Sequence, residues 1–539
     1  MSRIAIYDTT LRDGAQGEGI SFSGPAKLRI ARQLDEFGVD YVEGGFAASN
    51  PKDMEFFRDI RKNPLRHARV CAFGSTRRSG RSVADDEGTC ALLDAETPGV
   101  TIFGKSWKLH VRDVLHTTGD ENLAMISDTV RHLKARGKEV IYDAEHFFDG
   151  YKDHAEYALG TLKAARIAGA DTLVLCDTNG GSLPDEVDAI TRVVAQTFPG
   201  VPLGIHAHND SDLGTANTLA GVRAGATQIQ GTVNGFGERS GNANLCSVLP
   251  NLILKMGYTC LRDGALAQLR ALSEFVYEMA DLRPSLRAPF VGESAFAHKA
   301  GMHVDGVRKN SATFEHIAPE VVGNRRRILI SELSGASNVF LKALELGHVL
   351  DRTSPEIRHI LKELERLEKE GYQFEAAEAS FQLLMQKALK KHRPYFTLLG
   401  FRTIVEKRAP GEPCSTEATV KLRVGDEIEF MAGEGDGPID ALNNALRRAL
   451  TRFYPEIACV SLTDYRVRIL DPETATAAKT RVLIESSDGT RTWNTIGVST
   501  NLIEASWEAL VDGVEYKLFL DETGASARGG RTTPSSESV

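Results

Sequence analysis

No CxxC pair occurs in this chain, and its seven cysteines stand singly at positions 71, 90, 176, 246, 260, 414 and 459. An odd, scattered set excludes a disulfide framework and a cysteine-built structural zinc site; it fits reduced thiols in a cytoplasmic protein. Long apolar runs are missing too. None approaches the ~18 residues that a bilayer-spanning helix needs, so no membrane partner is expected. The first residues lead straight into a β-type run, without the basic and apolar regions of a secretory leader. Basic excess is also lacking: 64 Lys and Arg against 73 Asp and Glu leave a net charge of −9. Without a basic stripe, no nucleic-acid partner is expected. What is present, 42% apolar and 25% charged residues, is the usage of a soluble globular protein. At 539 residues the chain is too long for one core, and two or three domains are expected.

Eight short β-type runs punctuate the first part, at 4–7, 41–45, 70–73, 100–103, 140–143, 172–176, 203–206 and 228–232. Amphipathic segments lie between them. Asn50-Pro51 reads as a helix cap followed by proline in the first turn, and Gly38, Gly137, Gly169 and Gly225 each close a helix before the next strand. Eight β-α units in about 260 residues predict an α/β fold, a (β/α)8 TIM barrel, with a doubly wound open sheet as the rival. Polar residues cluster at the C-terminal ends of runs 1, 5, 6, 7 and 8, which favours the barrel. Residues 265–280 and 354–391 read as helices flanking a Gly/His/Asn-rich stretch. The last part is an α+β domain with an internal duplication: Gly433, Ile439, Ala441, Ala445 and Leu446 recur in spacing as Gly497, Ile503, Ala505, Ala509 and Leu510. Each copy follows a group of β runs, at 418–422 and 427–431, then 465–470 and 480–485. The expected division is a barrel at 1–265, a mainly helical subdomain at 266–392 and the duplicated domain at 393–520. A disordered tail is expected at 521–539, where apolar content disappears.

In a parallel barrel, catalytic groups gather where strands end and βα loops begin. Run 1 leads into Asp8-Thr-Thr-Leu-Arg12-Asp13-Gly14, run 5 ends in Asp143-Ala144-Glu145-His146, and run 6 in Asp177-Thr178. Run 7 supplies His206-Ala-His208. Two histidines one residue apart on a strand point the same way, so both can reach one ion. Adding Asp13 completes a two-histidine, one-carboxylate set suited to a catalytic divalent metal: Mn2+, Mg2+, Co2+ or Zn2+. The competing readings are plain. Arg12 and Asp13 could be a structural ion pair, Asp177 a helix cap, Glu145 solvated rim charge, and His303 a surface histidine.

Leu11-Arg12-Asp13-Gly14-x-Gln16, His206-x-His208-Asn209-Asp210, Gly237-Glu238-Arg239-x-Gly241-Asn242 and His298-Lys-Ala-Gly-Met-His303-x-Asp305-Gly306 together resemble the 2-isopropylmalate, homocitrate and citramalate synthase family. Asn209–Leu213 and the Gly323-Asn-Arg-Arg-Arg and Ser331-Glu-Leu-Ser-Gly stretches are most similar to its citramalate branch. The resemblance implies a metal-dependent Claisen condensation of acetyl-CoA with pyruvate, in isoleucine biosynthesis. The runner-up substrate is 2-oxoisovalerate, for leucine biosynthesis; a metal-dependent barrel lyase is the more distant alternative. It implies Asp13, His206 and His208 as metal ligands, and Asn242 as a further ligand or a hydrogen-bond partner of the metal site. Arg12 would neutralise the developing alkoxide, and Glu145 and His303 would serve in acid/base steps. Thr178, with Arg12, Asp143 and Phe103, would line the oxo-acid pocket, a bulky ring at 103 suiting a methyl group. The C-terminal domain would form a homodimer and bind an amino-acid effector, isoleucine, near Gly433, Gly437, Gly497 and Asn501. One position departs from the family: Phe314 stands where relatives place a tyrosine.

Overall fold

A computed structural model describes residues 3–330, 336–345, 350–351, 354–471, 473 and 477–529. The chain forms two compact units: Met1–Phe296 with Ile317–Arg326, and Ala297–His316 with Arg327–Val539.

The first unit is a closed parallel barrel. Its strands are β1 (Ala5–Asp8), β2 (Tyr41–Phe46), β3 (Arg69–Ser75), β4 (Gly99–Lys105), β5 (Glu139–Glu145), β6 (Thr172–Asp177), β7 (Leu203–Ala207) and β8 (Gln228–Gly231). Closure is made by β1 pairing with β8, Ala5 opposite Gln228 through Asp8 opposite Gly231. That pairing excludes the open doubly wound sheet. All eight predicted runs are strands, displaced at their ends by no more than two residues. The helices between them begin and end as their residues dictate. Asn50 accepts from the Lys52 amide at the head of the helix Pro51–Lys62, and Gly38 and Gly169 close their helices in the left-handed conformation. Strand residues such as Ile6, Val42, Val100, Val140, Leu173 and Ile229 are fully buried in one apolar core, as expected of strands covered on both faces.

The expected middle segment is divided between the units. The helix Leu269–Met279 and the return segment Ile317–Arg326 pack with the barrel. Asn324 stitches that return, donating to the carbonyls of Phe290 and Gly292 and accepting from Arg270. The second unit begins with a two-stranded parallel ribbon, β9 (Ala297–His298) and β10 (Arg327–Ile328). The Ser331–Gly335 motif lies outside the described residues.

The duplication is real in three dimensions. Each copy is a three-stranded antiparallel sheet followed by a helix: β11 (Thr397–Glu406), β12 (Ser415–Val424) and β13 (Glu427–Gly435) before Pro438–Thr451, then β14 (Ser461–Ile469), β15 (Thr480–Ser487) and β16 (Thr492–Ser499) before Leu502–Gly529. Sequence reading missed β11 and β16. β11 is an edge strand exposed along most of its length, so it lacks the alternation that marks a half-buried strand. β16 carries Asn494 and Gly497, both poor strand formers. The helix Leu502–Gly529 also runs through the first nine residues of the expected disordered tail. Adding residues to an existing helix is easy once its first turn has formed. Asp521 pairs with Lys517, and Glu522 accepts from the Tyr395 hydroxyl. The remainder of that tail, 530–539, lies outside the described residues.

Candidate metal and substrate site

The barrel mouth holds a cavity of about 220 Å3 lined by Arg12, Asp13, Asp143, Glu145, Thr178, His206 and His208, with Phe46, Phe73 and Phe103 as an apolar wall. Strand alternation aims both histidines inward: Asp13 Oδ2 lies 3.4 Å from His206 Nε2 and 3.9 Å from His208 Nε2. One donor atom from each of the three lies within 4.8 Å of the others, and all three residues are buried. Ligands at ~2.0–2.2 Å from one ion stand about 3–4 Å apart, so this set fits a divalent cation. Asn242, whose backbone bridges to His208, brings a buried side-chain oxygen with no hydrogen-bond partner. The Asn242 oxygen is thus a buried acceptor next to His208, of a kind that a bound ion would engage.

Protonation states agree. Burial, and next His206, lower the His208 imidazole to about 4, so it is neutral and able to ligate at neutral pH. Burial would raise Asp13, but Arg12 and then the two histidines overcome it and hold the carboxyl at about 2. His206 Nδ1 meets Gln230 Oε1 at 2.9 Å, and Gln230 donates its amide to Asp143 Oδ1 at 3.0 Å. The glutamine oxygen requires the proton on Nδ1, which leaves Nε2 free to face the ion. Burial, then the neighbouring Glu43, push Asp143 well above the carboxylate range, and it faces the cavity.

Arg12 is held from three sides. Its Nε donates to Glu43 at 2.5 Å, a guanidinium nitrogen sits 3.1 Å from Asp13, and its carbon lies 3.7 Å above the Phe73 ring. Burial disfavours its charge, but Glu43 and Asp13 outweigh that and keep it protonated. Thr178 lies at the cavity, and its hydroxyl accepts the His146 amide at 2.9 Å, leaving its own hydrogen free for an acceptor in the cavity. His146 reaches that position with φ of 55°, a left-handed conformation uncommon for a side-chain-bearing residue. Phe103 stacks on Phe73 with ring centres 5.3 Å apart. Glu145 lines the cavity and is paired with Lys105. Asp177 has a local use: it accepts from Ser182 and Asn217, tying the loop after β6 to the helix Gly214–Arg223.

Outside the barrel unit, His303 is exposed on the helix Gly301–Lys309 with its ring stacked on Phe314 at 4.2 Å. The four residues expected at an effector site have local structural jobs. A side-chain carbon on Gly433 would meet the Ala445 amide at 2.5 Å, and one on Gly497 the Ala505 carbonyl at 2.0 Å. Both glycines therefore let a strand lie against its own helix. Gly437 and Asn501 stand at the heads of the two helices, Asn501 accepting from the Ile503 amide.

Three family models match in succession: HMGL-like over residues 3–276, homocitrate synthase post-HMGL domain-like over 290–371, and the LeuA allosteric (dimerisation) domain over 375–518. An (R)-citramalate synthase of Geobacter sulfurreducens is 52% identical over 97% of this chain and 99% of its own. Another, from Synechocystis sp., is 53% identical over 96% of each. The chain belongs to the citramalate synthase family. A probable 2-isopropylmalate synthase of Methanopyrus kandleri is 33% identical over 95% of this chain and 98% of its own.

Against this family frame, sequence reasoning missed four residues at the site. Glu43 and Gln230 sit inside strands that read as plain β runs, and a barrel interior position cannot be told from a helix-facing one until the sheet closes. Phe46 and Phe73 look like core residues. Arg239 was visible within a motif, but its work was not: it donates to Asp210 and to the Thr178 carbonyl, tying the loops after β6, β7 and β8 together.

Proposed function

We propose that the chain condenses acetyl-CoA with pyruvate and hydrolyses the thioester, giving citramalate and free CoA as a step towards isoleucine. The observation carrying this reading is the convergence of Asp13, His206 and His208 beside Arg12 on one small cavity, in a chain about half identical to (R)-citramalate synthases over its length. Asp13, His206 and His208, with Asn242 as fourth ligand, would hold a divalent ion, which when bound would supply Lewis-acid polarisation of a ketone. Arg12, charged and pinned by Glu43, faces the oxygen on which negative charge grows. Removing such a preorganised donor typically costs ~3–4 kcal/mol of barrier. Thr178 donates its free hydrogen to the oxo-acid carboxylate, and Asp143 lines the same pocket. Phe103, backed by Phe73 and Phe46, closes the pocket around the methyl group. Glu145 takes the proton from the acetyl methyl, whose carbon then bonds to the keto carbon. The alkoxide gains a proton, water attacks the thioester carbonyl, and CoA leaves as the thiol.

We assign the reaction to the cytosol, in keeping with seven unpaired cysteines; among the described residues no helix is long and apolar enough to cross a membrane. The C-terminal duplicated domain would join two copies into a homodimer and bind isoleucine. CoA release is measured with pyruvate, 2-oxobutyrate, 2-oxoisovalerate and 2-oxoglutarate, with and without a chelator, and with added isoleucine. Pyruvate should give the highest kcat/KM, chelation should abolish turnover, and isoleucine should inhibit. Preference for 2-oxoisovalerate would overturn the substrate assignment, chelator-resistant turnover the metal assignment, and a flat isoleucine response the regulatory one.

A further inference from the structure

Lys105 ends β4 directly opposite Glu145, the last residue of β5, in the parallel register of the barrel. Its ammonium makes an ion pair with Glu145 Oε2, a buried oxygen that accepts a hydrogen bond from no other group among the described residues. The lysine is well held. Its side chain is 14% exposed, its ammonium lies 5.4 Å from the centre of the Phe103 ring, and its carbonyl accepts the Asn122 amide at 2.8 Å. Of the other basic groups nearby, His110 is kept below its ordinary value by burial, then by His146 and Lys105, so it is neutral and does not compete as a cation. Lys105 itself is not among the residues lining the cavity, whereas Glu145 is.

We propose that Lys105 is a positioning residue for the condensation: it grips one oxygen of Glu145, so that the carboxylate presents its other oxygen to the acetyl methyl. A cation bonded to Oε2 leaves Oε1 as the oxygen that can accept a proton, and fixes the direction from which it does so. The ring beneath the ammonium belongs to Phe103, the residue assigned to the methyl pocket. One side chain thus couples placement of the base to the wall that places the keto acid. This inference rests on the condensing activity and the base role of Glu145 proposed above, and goes beyond them in assigning the aim of that base to Lys105.

The test uses the full-length, metal-loaded enzyme with Lys105→Met, Lys105→Gln, Lys105→Arg, Glu145→Gln and the Lys105→Met/Glu145→Gln double variant. Two neutral replacements guard against one that misfolds. The expected result is a kcat lowered by roughly 100-fold in the neutral variants, the lower end of what a positioned acid or base contributes. KM for pyruvate should stay within about twofold, because the keto acid does not touch Lys105. Arginine should recover most of the rate, and Lys105→Met should cost nothing further once Glu145 is glutamine. A neutral variant at wild-type kcat, or losses from the two sites that multiply in the double variant, would overturn the assignment while leaving the activity standing. A wild-type enzyme idle on every oxo acid would overturn both.

Discussion

Glu43 has no solvent exposure, yet it accepts hydrogen bonds from the Tyr7 and Thr9 hydroxyls and from Arg12. Its charge is what lets a buried guanidinium stand beside Asp13 without drawing that carboxylate away from the histidines. Glu43→Gln keeps the shape and removes the charge, leaving Arg12 with Asp13 as its anion. Breaking one partner of a buried pair typically costs ~3–5 kcal/mol. The variant should therefore unfold at lower denaturant and bind Mn2+ more weakly, because Arg12 now competes for Asp13. Urea unfolding and isothermal titration with Mn2+ check this; wild-type values in both would remove Glu43 from the account. Gln230 acts on the same scale in the other direction, setting which His206 nitrogen faces the ion.

At the scale of elements, the barrel is held in register by polar side chains that satisfy loop amides. Asp35, near the end of the helix Gly24–Phe37, accepts from the amides of Arg66, His67 and Ala68 just ahead of β3. Burial would raise its pKa, but these three amides lower it below the ordinary carboxylate value. A group whose folded pKa is depressed contributes its full stability above the unfolded value of about 3.9 and loses it as pH falls towards the folded one. Asp35→Asn should cost about 1–3 kcal/mol at neutral pH. The gap from wild type should narrow below about pH 4. Urea midpoints at pH 7 and pH 3 measure it, and a pH-independent gap would sink the argument. In the duplicated domain the equivalent constraint is steric: Gly433 and Gly497 admit the helix backbone where no side chain fits. The repeated Gly and Ala of the sequence motif are the contact itself.

On the scale of the whole molecule, two features of the second unit bear on assembly. Ile428 and Phe430 are 55% and 65% exposed on β13, and Val467 and Ile469 are exposed along β14. Large apolar residues in such numbers on one small domain mark a surface that expects cover, and the family model for this segment is a dimerisation domain. Light scattering of the wild type should show the proposed homodimer, and the double variant Phe430→Asp/Ile469→Asp should shift it towards monomer. A variant that remains fully dimeric would place the interface elsewhere.

The sequence by itself determined the eight strands, the caps and glycines that end the intervening helices, the inward pair His206 and His208, and the duplication, because each is written in local periodicity or in a motif of fixed spacing. It determined that Asp13 belongs with those histidines only through position: strands 1 and 7 end on the same face of any parallel barrel. Tertiary structure alone decided what surrounds them. Glu43 and Gln230 are polar residues inside β runs and Lys105 follows one, and which face they share, and with which partner, depends on closure and on the register between neighbouring strands. Likewise β11 and β16, lacking alternation or rich in poor strand formers, are strands because β12 and β15 supply the missing hydrogen-bond partners. Local pattern specifies an element; the charge balance of a buried site is a sum over residues that only the fold brings together.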